Sequence, residues 1–454
     1  MIQLSLSAAA KLTGAPLPSE TLSFTGISID TRTLTPGNLF VAIKGERVDG
    51  HDLLMEAQSR GAVAALVNYP VNASLPQLIV SDTVTALGDL AAFWRQSFSG
   101  PLVAVTGSNG KTTVKNMIAA IFQAALPDQP NAVLATPGNL NNTLGLPLTL
   151  ATLSPEHHYA VLEMGMNQFG EIARLTDIAR PTVAVITNAA SSHLAGVGDV
   201  AGVAKAKGEI FSGLTKKGTA VLNADDTHFA YWKNLARHHT QMTFGLERPA
   251  DVTAIYTGRP EVACQTPFGV IPLMLPLAGR HNLMNALAAI AAALGAGITP
   301  LAIQKGLATV QTAKGRLEHH QLANGAHLID DTYNANPFSL NAAIAVLATH
   351  PGEKILILGD MKELGPEEID QHALAGESIA NAGIDRLMTY GTLSAHTSRA
   401  FGTAAKHFTS QAELLYALRP LLRTDTTVLI KGSHSMEMDK IVAELLTEPA
   451  LPSR

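Results

Sequence analysis

The chain has 454 residues, 46% hydrophobic and 15% charged, with a formal net charge of −5. That length exceeds what one core can serve, so about two to four domains are expected, and the composition excludes a disordered chain. The mildly acidic balance argues against nucleic acid as the main partner, and the single cysteine, Cys264, excludes an intrachain disulfide framework and a cysteine-based zinc site while fitting a reducing compartment.

The opening MIQLSLSAAAKLTG lacks a basic region followed by a long apolar run, so no signal peptide is expected. The first hundred residues pattern as a small α/β unit. Ile27, Ile29, Leu39, Phe40, Val41 and Ile43 predict short strands, with Pro36-Gly37 at a turn. His51 to Gly61 predicts a helix ending in glycine, followed by the strand AVAALV.

The stretch from Pro101 to Ala125, PLVAVTGSNGKTTVKNMIAAIFQAA, carries the most chemistry. It predicts a buried strand (Leu102 to Val105), a turn containing Gly107, Ser108, Asn109 and Gly110, then a helix opened by Lys111-Thr112-Thr113. Val114, Met117, Ile118, Ile121 and Phe122 give that helix one apolar face. Backbone amides of such a turn converge at the positive end of a helix, Lys111 can reach β- and γ-phosphate oxygens, and Thr112 offers a hydroxyl to Mg²⁺. The expected ligand is ATP. The usual pattern has a glycine where this chain has Val105, so the loop is a shorter variant, TGSNGKTT. Such residues also meet by chance in surface turns, but the flanking strand and amphipathic helix argue against that.

Short apolar runs ending in polar clusters then alternate with helical stretches such as Val200 to Leu214. Tyr159 to Met164 carries Glu163, Val183 to Thr187 precedes Asn188 and His193, and Ala220 to Asn223 leads to Asp225-Asp226. This alternation predicts a doubly wound parallel sheet, with ligands at the carboxyl ends of its strands. Glu163 there suits Mg²⁺, because hard cations prefer oxygen; a salt-bridged or solvated glutamate is the plain alternative. His193 ends the next strand, where a lone histidine is more often an ordinary polar residue. Lys205 and Lys207 fall on a helix, where a solvated basic face is the plain alternative for both and is kept for Lys205. Asn282 and Asn285, one turn apart behind the Gly279 turn, can pair with the edge of an adenine; capping by Asn282 is the alternative. The run Ala286 to Ala296 is too short to span a membrane and reads as a buried helix, so no membrane span is expected.

The pattern breaks between Val310 and Arg316, and a third unit begins. Strands are predicted at His327 to Ile329, Ile355 to Leu358, Leu387 to Tyr390 and Val428 to Ile430, with a helix at Ser339 to Ala348. Asp330-Asp331, Gly359-Asp360 and Lys431-Gly432-Ser433 follow these strands. Arg316, in KGRLE, is a plain surface arginine or a charge delivered to a phosphate across an interface. Asp330 to Pro337, DDTYNANP, reads as an Asx-rich turn before a helix, a reading compatible with a role in binding. Three α/β domains are expected, at 1–98, 99–312 and 313–454.

Taken in order, SIDTR, FVAIKGERVDGH, TGSNGKTT, TPGNLNNTLGLPLTL, EMGMNQFGEI, TNAASSHL, AKGEIF, GRHNLMNA, KGRLE, DDTYNANP, LGDMKELG and KGSHS resemble the ATP-dependent Mur ligases of bacterial cell-wall synthesis over nearly the whole chain. The resemblance implies three domains, for a UDP-sugar, for ATP and for the incoming amine, with a central doubly wound parallel sheet carrying the phosphate loop and a Rossmann-like C-terminal domain. It implies Lys111, Lys207, His193 and Arg316 as catalytic, Thr112, Glu163 and His193 around Mg²⁺, Asn282 and Asn285 at adenine, and Arg316 and Asp331 closing on the nucleotide. Ser28, Asp30, Thr31 and Arg32 would lie near the uridine diphosphate, with Thr136, Asn139, Asn142, Asn334 and Asn336 among the other substrate contacts. Lys207, with Phe211 four residues on, matches a position that several relatives carry as a carbamate. The implied branch joins D-alanyl-D-alanine to UDP-N-acetylmuramoyl-tripeptide through an acyl phosphate, as a cytoplasmic monomer. The nearest rival is a sister ligase adding a diamino acid, whose third domain carries D-N-P-R where this chain has NANPF. A folate-type ligase would have G-K-G-S in its loop, and a nucleotide-dependent switch would bind nucleotide without amine-stimulated turnover.

Overall fold

Three α/β units follow one another in the computed structural model, which describes residues 1–19, 21–191 and 194–447. The first holds an antiparallel pair, β1 (Gln3–Ser5) and β2 (Ser23–Thr25). Beside it lies a parallel sheet ordered β3 (Ile27–Ser28), β4 (Leu39–Val41), β5 (Ala64–Val67) and β6 (Gln77–Ile79). Successive strand side chains point to opposite faces. Leu39 and Val41 accordingly enter the core under helices Leu6–Thr13 and Thr83–Arg95, while Phe40 enters the one containing Leu54 and Ala57. The helix expected from His51 to Gly61 is a 3₁₀ turn, Gly50–Leu53, running into helix Leu54–Ser59.

The central sheet contains β7 (Leu102–Thr106), β8 (Val133–Ala135), β9 (Tyr159–Glu163), β10 (Val183–Ile186), β11 (Thr219–Asn223), β12 (Thr240–Gly245), β13 (Val252–Ala254), β14 (Glu261–Thr266) and β15 (Gly269–Met274). Their spatial order is β15-β14-β13-β12-β11-β10-β7-β9-β8. From β8 to β13 the neighbours are parallel. Val103, Val105, Val161 and Val185 face helices Lys111–Ala125 and Arg280–Gly295, whereas Ala104, Leu162 and Ile186 face helices Glu171–Ala179 and Val200–Gly208. Both faces are therefore covered, as a doubly wound sheet requires. The pair β14–β15 adds an antiparallel edge that a wholly parallel reading does not contain. Its burial alternates along each strand, the pattern of a sheet edge with one wet face.

The chain leaves β7 for β8 at the edge, returns to β9, and then crosses to β10 on the other side of β7. The carboxyl end of β7 is thus a topological switch point, where open α/β sheets bind ligands.

The third unit is a sheet of β16 (Glu318–Gln321), β17 (His327–Asp331), β18 (Glu353–Gly359), β19 (Arg386–Tyr390), β20 (Ala405–Phe408) and β21 (Thr426–Lys431), ordered β16-β17-β21-β18-β19-β20. Only β16 is antiparallel to its neighbour among these described strands. Apolar cores lie on both faces, one holding Leu328, Val428 and Ile357, the other Ile329, Leu429 and Leu358. Among the described residues no helix is long and apolar enough to cross a membrane.

Candidate active site

At the end of β7 the backbone turns through Gly107 (φ +152°) and Gly110 (φ +82°). A Cβ on Gly107 would collide with Thr187 Oγ1, and one on Gly110 with Asn285 Oδ1, so both close approaches need glycine. The loop is fastened to the segment after β10. Ser108 N donates to Asn188 O (2.9 Å), Asn109 N to Asn188 Oδ1 (3.0 Å), and Thr187 Oγ1 and Asn188 Nδ2 donate to Asn109 O (2.6 and 3.1 Å). Helix Lys111–Ala125 starts from Gly110 with no side-chain cap, which leaves its first amides directed at the turn. Lys111 Nζ lies across the loop, donating to Gly107 O (2.7 Å) and Ser108 O (3.2 Å). Burial lowers the Lys111 pKa, opposed by Glu163 and reinforced by Arg316. Thr113 sits in the first turn of the same helix.

Glu163 ends β9 opposite Val105 of β7 and is buried. Its Oε2 accepts from Thr112 Oγ1 (2.9 Å), its Oε1 from Asn141 Nδ2 (2.8 Å), and its backbone amide donates to Thr136 Oγ1 (2.9 Å). Two hard oxygen donors, one hydroxyl and one carboxylate, therefore stand side by side beside the phosphate loop, a donor set that suits Mg²⁺. His193, expected as a third ligand, lies outside the described residues. Lys115, one turn after Lys111, is buried and donates to Thr136 O (2.8 Å).

Lys207 belongs to helix Val200–Gly208 but is 1% exposed, so the solvated face holds for Lys205 alone. Burial and the nearby Lys111 charge lower its pKa well below the ordinary lysine value. Glu209, the acid that could have paired with it, instead accepts the Gly170 and Ala173 amides. Lys205 is exposed, above the Phe169 ring.

Asn282 and Asn285 are buried near the start of helix Arg280–Gly295. Gly279 occupies the N-cap, so Asn282 does not cap the helix; its Nδ2 donates to Ala278 O (2.7 Å). Asn285 sits against Gly110, placing this pair at the phosphate loop.

The third domain reaches the same place. Arg316 Nη2 donates to Thr112 Oγ1 (3.0 Å), and its guanidinium stacks 3.9 Å from the Tyr333 ring centre. Asn336 caps helix Pro337–Ala348 through Ser339, and its Nδ2 donates to Asn109 Oδ1 (2.9 Å). DDTYNANP is thus both a cap and a contact with the loop. Asp331 is buried, pairs with Lys431 (2.6 Å) and accepts the Leu317 amide (3.1 Å). Lys431 also donates to the backbone oxygen of Asn334, whose side chain is turned to its own Ala335 amide.

The remaining expected residues lie elsewhere. Asp30 caps the turn Thr31–Thr33 and forks with Arg32, while Ser28 Oγ donates to Asp30 O (2.9 Å). This group follows β3 in the first domain, with Thr31 buried and Arg32 exposed. Thr136 serves the Glu163 amide, Asn142 accepts the Leu144 and Gly145 amides, and Asn139 is exposed. Sequence reasoning missed Asn141, Lys115 and Asn188 as site residues. Asn141 lay in the same NLNN run as Asn139 and Asn142, and Lys115 stood one helical turn from Lys111.

A phosphate cradle at a switch point, with paired oxygen donors beside it and an arginine reaching it from the third unit, is the arrangement of a P-loop enzyme. Residues 105–293 match the Mur ligase middle domain, 315–434 the Mur ligase glutamate ligase domain, and 23–95 the Mur ligase family catalytic domain. The chain belongs to the Mur ligase family. It is 44% identical to the UDP-N-acetylmuramoyl-tripeptide–D-alanyl-D-alanine ligase of Escherichia coli (strain K12), covering 98% of this chain and 99% of that one. It superposes on a crystal structure of MurF from Acinetobacter baumannii with a TM-score of 0.91 at 35% identity, covering 99% and 100% of the two chains. The MurF ligase of Thermotoga maritima in complex with ADP gives a TM-score of 0.81 at 27% identity, covering 93% and 97%.

Proposed function

We propose that this chain joins D-alanyl-D-alanine to UDP-N-acetylmuramoyl-tripeptide with conversion of ATP to ADP and phosphate, giving the pentapeptide precursor of peptidoglycan. The observation that carries the reading is its 44% identity, end to end, with the E. coli ligase of that specificity. The ADP in the Thermotoga relative supports the phosphate loop as the nucleotide site. The domains would divide at 1–98 for the UDP-sugar, 99–312 for ATP and 313–454 for the dipeptide, in a cytoplasmic monomer.

The residues fit the chemistry. A carboxylate is a poor acceptor for an amine, so the peptide carboxylate first takes the γ-phosphoryl group and becomes an acyl phosphate. The dipeptide amine then attacks that carbonyl, and phosphate leaves from the tetrahedral adduct. Lys111 and the loop amides hold the β- and γ-phosphates, and Asn282 and Asn285 meet the base. Arg316, held against Thr112, adds positive charge where the phosphoryl group moves. Thr112 and Glu163, with His193, would hold Mg²⁺, which when bound supplies charge to the phosphate oxygens. Ser28, Asp30, Thr31 and Arg32 would hold the uridine diphosphate, Thr136, Asn139 and Asn142 the sugar-peptide, and Asn334 and Asn336 the incoming dipeptide, beside Asp331. Closure of the third domain excludes water from the acyl phosphate. Lys207, buried with a lowered pKa, supplies the neutral amine that takes up CO₂ as a carbamate.

A phosphate-release assay tests the specificity. Turnover should require UDP-N-acetylmuramoyl-tripeptide together with D-alanyl-D-alanine. Turnover with the UDP-dipeptide and a diamino acid instead would transfer the chain to the sister branch, and nucleotide binding without any amine-stimulated turnover would make it a switch.

A further inference from the structure

We propose that His319, His327 and His350 form a binding site for one divalent transition cation of the zinc class, on the third domain and apart from the nucleotide site. His319 lies on β16 and His327 on β17, where the register pairs His319 with Ile329 and Gln321 with His327. Side chains at i and j−2 across such a pair share a face, so the two imidazoles are diagonal neighbours. His350 arrives from beyond the end of helix Pro337–Ala348. The three rings surround one point, with centroids 5.6 to 5.8 Å apart. One nitrogen from each falls within 4.8 Å of the others. Tetrahedral zinc with Zn–N bonds of about 2.0–2.1 Å needs its nitrogens roughly 3.3 Å apart, a gap that small ring rotations close because His319 is exposed.

The orienting shell is partly built. His350 Nδ1 lies 3.0 Å from Val346 O, so it donates there and leaves Nε2 as the ligand atom, the usual second-shell arrangement of metal-bound histidines. Imidazole nitrogens select zinc, nickel or copper over magnesium. His327 begins β17, whose far end carries Asp331, so His327 stands at the opposite end of that strand from the residue assigned to the nucleotide. It would pin the edge strand β16, which begins two residues after Arg316, to β17 and to the helix end.

A competing cluster on the opposite face of β16, Glu318, His320 and Asp330, has its acids engaged: Glu318 accepts the Gly315 amide and Asp330 the Thr332 amide and hydroxyl. The test is a titration of metal-stripped full-length protein with Zn²⁺, without nucleotide or Mg²⁺, followed by calorimetry and by the visible absorption of Co²⁺. One equivalent should bind and raise the thermal midpoint. His319→Ala and His327→Gln should each weaken binding more than about tenfold, with His320→Ala near wild type. Because His319 is exposed on an edge strand, its removal leaves the fold intact. Affinity of His319→Ala within threefold of wild type, or loss of the metal in His320→Ala alone, overturns the proposal.

Discussion

Replacing Arg316 by alanine tests whether the third domain contributes to the nucleotide site. Its guanidinium makes one charge-assisted hydrogen bond to Thr112 (3.0 Å) and stacks at 3.9 Å on Tyr333. The first interaction is worth about 1.5–3 kcal/mol and the second about 0.5–2 kcal/mol. Only part of the stacking is lost to catalysis, since Tyr333 belongs to the same domain and mainly orients the arginine. A loss of about 2–4 kcal/mol of transition-state stabilisation is therefore expected, or roughly 30- to 1000-fold in kcat/KM for ATP. The KM for the UDP-linked substrate should stay within a few fold, because the residues assigned to it stand on the first and central domains, not on the third. Arg316→Lys should fall between, keeping the charge and losing the planar fork and stack. Phosphate release measured over a range of ATP concentrations reads all three. A kcat/KM for ATP in Arg316→Ala within threefold of wild type would refute the clamp.

Lys111→Ala should abolish ligation while UDP-substrate affinity stays within a few fold; ligation near the wild-type rate would remove the phosphate-loop assignment. Glu163→Ala and His193→Ala should each raise the Mg²⁺ concentration for half-maximal rate, with a cost of about 2–4 kcal/mol in the transition state, and an unchanged Mg²⁺ titration in both would return them to structural roles. Lys207→Ala should regain part of its activity with added acetate or formate, whereas rescue by small amines alone would make Lys207 a plain cation. Burial and the Lys431 charge hold the His281 pKa down to about 4, so the unfolded chain takes the proton first on acidification. This contribution is complete above about pH 6.5 and is lost as pH falls from there through about 4. His281→Asn should flatten that part of the profile in urea unfolding at about pH 7.5 and about pH 5, and an equal loss in both proteins would count against it.

The phosphate loop and the strands around it were legible because they rest on local rules: a two-residue alternation, a 3.6-residue stripe, and glycines where the backbone turns left. The strand carrying Glu163 and the helix from Lys111 fall where periodicity put them. The β14–β15 edge was not legible, because an alternating pair reads alike at the edge of a parallel sheet or in a separate hairpin. Lys207 shows a different limit. Residues two apart lie on nearly opposite sides of a helix, so Lys205 and Lys207 do not share a face, yet only tertiary packing decides which lysine is buried and which exposed. Asn336 was legible as a cap and as a candidate contact, but its bond to Asn109 depends on how two domains meet, which no local pattern records.

Charge explains why these residues gather. Lys111 and Lys115 both feel the Glu163 carboxylate and the Arg316 guanidinium, and Lys207 feels Lys111. Basic side chains thus outnumber the Glu163 carboxylate in this linked group, and burial makes each ammonium harder to keep; the pKa values of all three lysines are lowered. A polyphosphate answers that surplus, which is why the cluster sits at a loop shaped for one. On the proposed reading Lys111 and Arg316 supply two cations to the transferring group, so an ammonium at Lys207 would add repulsion on Lys111 without a further phosphate oxygen to serve. A carbamate there changes the sign. It would set an anion near Lys111, turn the repulsion there into attraction, and suit a divalent cation. The two fates of Lys207 differ by two elementary charges at one buried atom, so the carboxylate rescue of Lys207→Ala decides between them on sign alone.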